Sequence, residues 1–192
     1  MKRTVRSFLA VEIDNAARQN AVGLIKSLSA AGADVKWVDA GNLHFTLKFL
    51  DEVPMSEIPQ ICQVVGRAAA LIEPFELEVR GAGAFPRPER PKTIWLGAGR
   101  GGPQMIALHA AVEKPLAKLG FRKDNRRFTP HLTLGRVRSG GPAVGPLGEL
   151  LLERGDFQAG TCRVREVVLF SSELTAEGPF YEALCRAKLG GS

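Results

Sequence analysis

Histidine and cysteine are scarce in this chain, with three of each among 192 residues. Cys62, Cys162 and Cys185 are odd in number, widely spaced and without a C-x-x-C pair, so by themselves they supply neither a disulfide framework nor a zinc site. A reducing, cytoplasmic setting is the expectation that follows. Long apolar runs are missing too. None approaches the roughly 18 residues that span a bilayer, and the opening MKRTVRSFLAVEID turns polar too early for a signal peptide. No membrane partner is expected. There is no G-x-S-x-G elbow for a Ser-His-Asp hydrolase. Glycines 97, 99, 101 and 102 match neither the dinucleotide fingerprint nor the P-loop, and read as a strand-to-helix turn.

What is present fits an ordinary globular chain: 45% hydrophobic and 24% charged residues, enough for one domain or two small lobes sharing a core. The net charge is +6, and arginine outnumbers lysine 17 to 9. Five of those six net charges fall between Phe121 and Arg138, where Arg122, Lys123, Arg126, Arg127, Arg136 and Arg138 face only Asp124. A charge run is ordinarily a solvated face, but the planar guanidinium fork also suits phosphate.

The patterning predicts a strand from Arg6 to Ile13 and then a helix capped by Asp14 or Asn15 and running to Ala31, with Val22, Ile25, Leu28 and Ser29 inward. Strands follow over 35–38 and 43–50, and a helix from Pro54–Ser56 to Ile72 with Ile61, Val64, Val65 and Ala68 inward. A strand runs from Phe75 to Phe85 with a bulge at its glycines, and another from Lys92 to Ala98. Then come a helix from Pro103 to Leu119, a strand from His131 to Val137, a short helix over 147–154, and strands over 164–173 and 179–189. The lack of regular strand–helix alternation predicts an antiparallel α+β fold.

One weak repeat stands out. His44-Phe45-Thr46-Leu47 recurs 87 residues later as His131-Leu132-Thr133-Leu134. Period-two alternation puts His44, Thr46 and Lys48 on one strand face, and His131 with Thr133 on the other strand's, each backed by apolar neighbours. His109 lies mid-helix without an evident partner and reads as structural. Two histidines without a repeated carboxylate are too few for a zinc centre, so neither metal nor cofactor is expected. Paired imidazoles suit acid–base catalysis on a phosphodiester. One takes a proton from the nucleophile and the other gives one to the leaving oxygen, while threonine hydroxyls donate to the phosphoryl oxygens. Residue types alone leave the two histidine roles interchangeable.

His-x-Thr-x once per half resembles the signature of the two-histidine phosphoesterase superfamily, and more closely that of the bacterial and archaeal RNA 2′,3′-cyclic phosphodiesterases, also called 2′-5′ RNA ligases. The likeness runs nearly end to end. It includes Arg6-Ser7-Phe8-Leu9-Ala10-Val11, Lys36-Trp37-Val38, Asn42 to Leu50, Gly83-Ala84-Phe85-Pro86, Ile94-Trp95-Leu96-Gly97, Pro130 to Arg136 and Glu166 to Ser172. The resemblance implies a single two-lobed domain over 1–192, with two antiparallel sheets in pseudo-twofold arrangement, flanked by helices around a central cleft. It also implies metal-independent hydrolysis of an RNA 3′-terminal 2′,3′-cyclic phosphate to a 2′-phosphate, with reversible 2′-5′ RNA ligation as a companion activity. His44 would be the proton donor and His131 the acceptor, with Thr46 and Thr133 on the phosphoryl oxygens.

Around that centre, Phe8 is expected as a wall or base-stacking residue. Lys48 is expected within reach of a phosphate, and Arg126 and Arg127 to steer the RNA backbone. Arg136 joins on family grounds, since strict alternation sends it to the wrong face unless a bulge lies near Gly135. The expected partner is an RNA end bearing the cyclic phosphate, such as a tRNA fragment, and the expected acting unit a monomer. Two other readings remain: a phosphodiesterase for small cyclic nucleotides, and a non-catalytic RNA- or nucleotide-binding module.

Overall fold

The structure is a computed structural model describing residues 3–176 and 178–191, so both ends of the expected 1–192 domain lie outside the described residues. The elements run β1 (Thr4–Glu12), α1 (Asn15–Ser29), β2 (Val35–Trp37), β3 (His44–Pro54), α2 (Ile58–Ala69), β4 (Phe75–Phe85) and β5 (Thr93–Ala98). They continue with α3 (Gly102–Lys118), β6 (His131–Val137), α4 (Val144–Glu153), β7 (Gln158–Val164), β8 (Glu166–Thr175) and β9 (Gly178–Lys188).

Every strand pairing is antiparallel, as the α+β expectation required. The strand order is β7-β4-β5-β6-β3-β1-β8-β9, with β2 added to β6. Two halves are visible in it. β1, β3, β8 and β9 are backed by α2, which packs on α3; β4 to β7 are backed by α1 and α4. The halves are continuous through one paired couple, Phe45 opposite Leu132, between β3 and β6.

Local chemistry explains most elements. The Asp14 carboxylate accepts the Ala17 N–H at 2.9 Å and starts α1, whose buried stripe is Ala17, Ala21, Leu24, Ile25 and Leu28. Helix α2 buries Ile58, Ile61, Val65, Ala68 and Ala69, with Pro59 in its first turn, where an N–H has no intrahelical partner. The turn before α3 needs its glycine: Gly101 sits at φ 89°, and a Cβ there would collide with the Glu76 carbonyl. The expected bulge in β4 lies at Gly81, where the register against β5 shifts. Strand β7 was not foreseen. Its sequence QAGTCRV is half polar, and Gly160 sits in it at φ 131°, so the apolar alternation that marks a strand is nearly erased.

One expectation is overturned. Cys62 on α2 and Cys185 on β9 form a disulfide, leaving Cys162 as a buried free thiol. The pair is 123 residues apart in sequence and meets only because α2 packs on β9, a contact that no local spacing discloses. Closing so long a loop restricts the unfolded chain and stabilises the fold by about 2–5 kcal/mol. Denatured without reductant, the chain should therefore titrate one thiol; with reductant, three. Cys185→Ser should lower the unfolding free energy by about that amount in a denaturant titration. Three reactive thiols in the unreduced, unfolded protein would show that the bridge does not form.

Candidate active site

The couple Phe45–Leu132 fixes the geometry of both motifs. Both side chains are wholly buried in the core. By antiparallel register, His44 then stands opposite Thr133 and Thr46 opposite His131, all four on the other face of the sheet. Each imidazole is anchored alike. His44 Nδ1 donates to the Asn42 carbonyl at 2.8 Å, and His131 Nδ1 to the Thr129 carbonyl at 2.7 Å. Both are carbonyls two residues upstream, so both rings keep Nε2 for chemistry. In His44 that nitrogen accepts the Thr46 hydroxyl at 2.9 Å.

Bulges follow each motif at equivalent places. Against β1, Thr46 pairs with Ala10 and Lys48 with Leu9, leaving Leu47 as the extra residue. Against β5, Thr133 pairs with Trp95 and Gly135 with Ile94, leaving Leu134 extra. Each bulge inverts the alternation beyond it. Arg136 therefore returns to the face of His131 and Thr133, as the expectation required, and lines the cleft with His44, Thr46 and Thr133.

The other bulge contradicts the expectation for Lys48. The same inversion buries Lys48 to 2% exposure and turns Phe49 out at 57% exposure, onto the cleft. Lys48 Nζ lies 3.0 Å from Glu113 Oε1 and 3.4 Å from Asp124 Oδ2, and donates to the Arg122 carbonyl at 2.9 Å. It is a structural cation and not a phosphate ligand. Burial disfavours the Glu113 carboxylate, yet hydrogen bonds from the Asp124 amide and Lys48, with the Lys48 charge, hold it below the usual carboxylate range. His109 also has partners that its sequence neighbours do not show. It stacks on Phe128 with centroids 4.1 Å apart, and its Nε2 lies 3.6 Å from Asp124 Oδ2. His109, Glu113 and Asp124 gather their ligand atoms within 4.8 Å of one another, and Lys48 supplies positive charge beside both carboxylates.

The cleft has a volume of about 320 Å³. Phe8 forms its inner wall, buried at 3% exposure and stacked on the His44 ring with centroids 4.9 Å apart. Four functional candidates of the cleft are not legible in the sequence: Asn42, Tyr181, Phe49 and Arg6. Asn42 orients His44 through its carbonyl, and its own Nδ2 donates to the Pro179 carbonyl at 2.9 Å, tying the motif to β9. Tyr181 meets the His44 ring edge-on, with centroids 5.6 Å apart. Phe49 needed knowledge of the bulge. The sole tyrosine of the chain was the one available signal for the second. Arg126 and Arg127 are exposed on the segment between α3 and β6, and do not line this cleft.

Burial shapes the protonation of His44, lowering its pKa to about 4 against partial offsets from the Asn42 carbonyl and the Glu12 charge. At neutral pH the ring is neutral in the ligand-free site. Burial pushes the Tyr181 phenol up, against the positive charges of Arg136 and Arg6. The cleft thus offers the His44 imidazole, the Thr46 and Thr133 hydroxyls and the guanidinium groups of Arg6 and Arg136, while His131 lies outside its lining on the same sheet face, opposite Thr46; together they are a set matched to a phosphate anion.

Comparison with known proteins identifies the family. Residues 15–175 match the model of the 2′-5′ RNA ligase superfamily. A Methanothermobacter thermautotrophicus protein named RNA 2′,3′-cyclic phosphodiesterase is 41% identical over 179 residues, 92% of this chain and 95% of its own. One of the same name from Aeropyrum pernix is 38% identical over 167 residues, 86% of this chain and 93% of its own. Among solved structures, Escherichia coli LigT complexed with 3′-AMP superposes with a TM-score of 0.77 at 24% identity, covering 97% of this chain and 99% of that one; at that identity the likeness is one of fold. The TT0787 structure from Thermus thermophilus gives 0.76 at 29% identity, covering 97% and 98%. By the span of the family match and the level of identity, this chain belongs to the 2′-5′ RNA ligase superfamily.

Proposed function

We propose that the protein hydrolyses the 2′,3′-cyclic phosphate at the 3′ end of RNA to a 2′-phosphate, and that 2′-5′ ligation is the same displacement with the 5′-hydroxyl of a second strand attacking the cyclic phosphate in place of water, reversed when the 3′-hydroxyl attacks the 2′-5′ linkage. The observation that carries the proposal is the Phe45–Leu132 register, which brings two equally anchored His-x-Thr units onto one face. The relatives named for this activity support the substrate.

In the hydrolytic direction, His131 Nε2 takes a proton from water as the water oxygen attacks phosphorus. The P–O3′ bond breaks opposite, and the departing 3′ oxygen receives its proton from His44 Nε2. The products are a 2′-phosphomonoester and a free 3′-hydroxyl. Thr46 and Thr133 donate to the non-bridging oxygens once a phosphoryl group displaces the internal Thr46–His44 bond, and Arg136 neutralises charge there. The donor role requires His44 to gain a proton on binding. A bound phosphodiester anion favours the imidazolium, so it raises the His44 pKa from the value burial sets. No step calls on a metal. Both motifs come from one chain, so we take a monomer as the acting unit. The substrate class suits work in the cytoplasm, although the Cys62–Cys185 bridge removes the cysteine argument for a reducing setting. No helix among the described residues is long and apolar enough to cross a membrane.

Two outcomes test this. In EDTA, His44→Ala and His131→Ala should each slow hydrolysis of an RNA ending in a 2′,3′-cyclic phosphate by at least about 10²-fold, with the wild-type product a 2′-phosphate. Undiminished turnover in either variant removes the paired acid–base mechanism, and wild-type RNA binding without turnover favours a binding module. By NMR titration, His44 should show a midpoint of about 4 in the free protein. That midpoint should move upward on adding a nucleoside 2′-monophosphate, because the anion stabilises the cation. A midpoint that stays or falls would reassign the donor to His131.

A further inference from the structure

At about 320 Å³ the cleft lies at the low end of ligand pockets, commonly about 300–1,000 Å³, so it takes a terminal nucleotide and little more. The densest positive charge of the chain lies outside it. The segment from Phe121 to Pro130 joins α3 to β6, and Arg122, Lys123, Arg126 and Arg127 are all exposed on it. Among the described residues none of the four forms an ion pair. The segment's one carboxylate, Asp124, reaches inward to Lys48 and His109, and its amide donates to Glu113 Oε1 at 2.8 Å. Its acid, half exposed, is therefore engaged by Lys48 and His109 while its cations stand unpaired in solvent.

The segment is without helix or strand, yet it is pinned along its length. Lys48 holds the Arg122 carbonyl, Glu113 holds the Asp124 amide, and His109 stacks on Phe128. At its far end the Thr129 carbonyl accepts the hydrogen bond from His131 Nδ1 at 2.7 Å. A buried lysine costs several kcal/mol to desolvate unless it is well paired, and here the pairing fixes a loop. Solubility alone would need no such anchorage for four surface cations.

We propose that this segment is a docking arm for the RNA strand upstream of the reacting end. Its four cations contact successive backbone phosphates while the cleft holds the terminal nucleotide. Lys48, Glu113, Asp124 and His109 are positioning residues that keep the arm beside His131. The proposal rests on the cleft being an RNA-end site, and it names the substrate as a strand with several phosphates, not a mononucleotide.

The test is fluorescence anisotropy with a labelled RNA 12-mer ending in a 2′-phosphate, which binds without reacting, measured across a salt series beside a nucleoside 2′-monophosphate. Single-strand contacts contribute a slope of about −0.7 per phosphate, so log affinity against log salt should fall by about 3 per decade for four contacts. Arg126→Gln/Arg127→Gln should reduce that slope by about 1.4 and weaken 12-mer binding several-fold more than mononucleotide binding. Asp124→Asn keeps every surface cation. It should weaken the 12-mer at least threefold and the mononucleotide less than twofold, a selectivity that general destabilisation would not produce. An unchanged slope in the double variant overturns the arm. Equal losses on both ligands in Asp124→Asn overturn the anchoring. Failure of the wild type to hydrolyse a cyclic-phosphate end would overturn the proposed reaction instead, while the salt slope still decides the arm.

Discussion

The Phe45–Leu132 couple is the constraint on which the site depends. It is the sole backbone pairing recorded between β3 and β6 among the described residues, and it carries the continuity of the sheet from one half to the other. Because both side chains are driven into the core, period-two geometry leaves the flanking histidines and threonines no choice of face. The hydrophobic effect thus aims the polar groups. A slip of one residue in either strand would bury an imidazole and expose a leucine or phenylalanine, a change that loses about 2 kcal/mol or more of apolar burial per side chain before the polar cost is counted.

The motifs themselves were readable because they are local: a histidine, a threonine two places on, and apolar residues between. Their surroundings were not. Strict alternation put Lys48 beside His44 and Arg136 behind His131, and the structure reverses Lys48 through the extra residue Leu47 while restoring Arg136 through Leu134. A bulge answers the twist and curvature of the whole sheet, and the residues Leu47 and Leu134 carry no mark of it. The glycine at 135 did carry a hint, since a Cβ there would press on Trp37 and Val35 of the neighbouring strand. The consequence is an asymmetry across the pseudo-twofold: five residues after each histidine, one half presents the phenyl ring of Phe49 and the other the guanidinium of Arg136.

Long-range electrostatics were equally hidden. The basic window was plain in the composition, but not that its single acid would turn away from it to Lys48 and His109. His109 has Glu113 one turn along its own helix and acquires two further partners from a segment more than a dozen residues on. The Cys62–Cys185 pair belongs to the same class, since it depends on α2 lying against β9. In each case the sequence supplied the residue and the packing supplied its role. The α+β class was accessible earlier because it needs only the order of elements, which caps, glycines and alternation mark one by one.

The burial that aims His44 also sets its chemistry. Packed between Phe8 and Tyr181, its ring gives up solvation, and the neutral form is favoured well below neutrality. A permanently charged donor in that position would repel the approach of Arg6 and Arg136, which line the same cleft. A neutral imidazole lets the two arginines stand near it and draw in an anion. In the proposed reaction the anion's own charge makes protonation of His44 favourable, so the acid forms when there is an oxygen for it to protonate. That proposed step couples substrate charge to catalyst charge, and the apolar wall behind the histidine makes the coupling strong by keeping the local dielectric low.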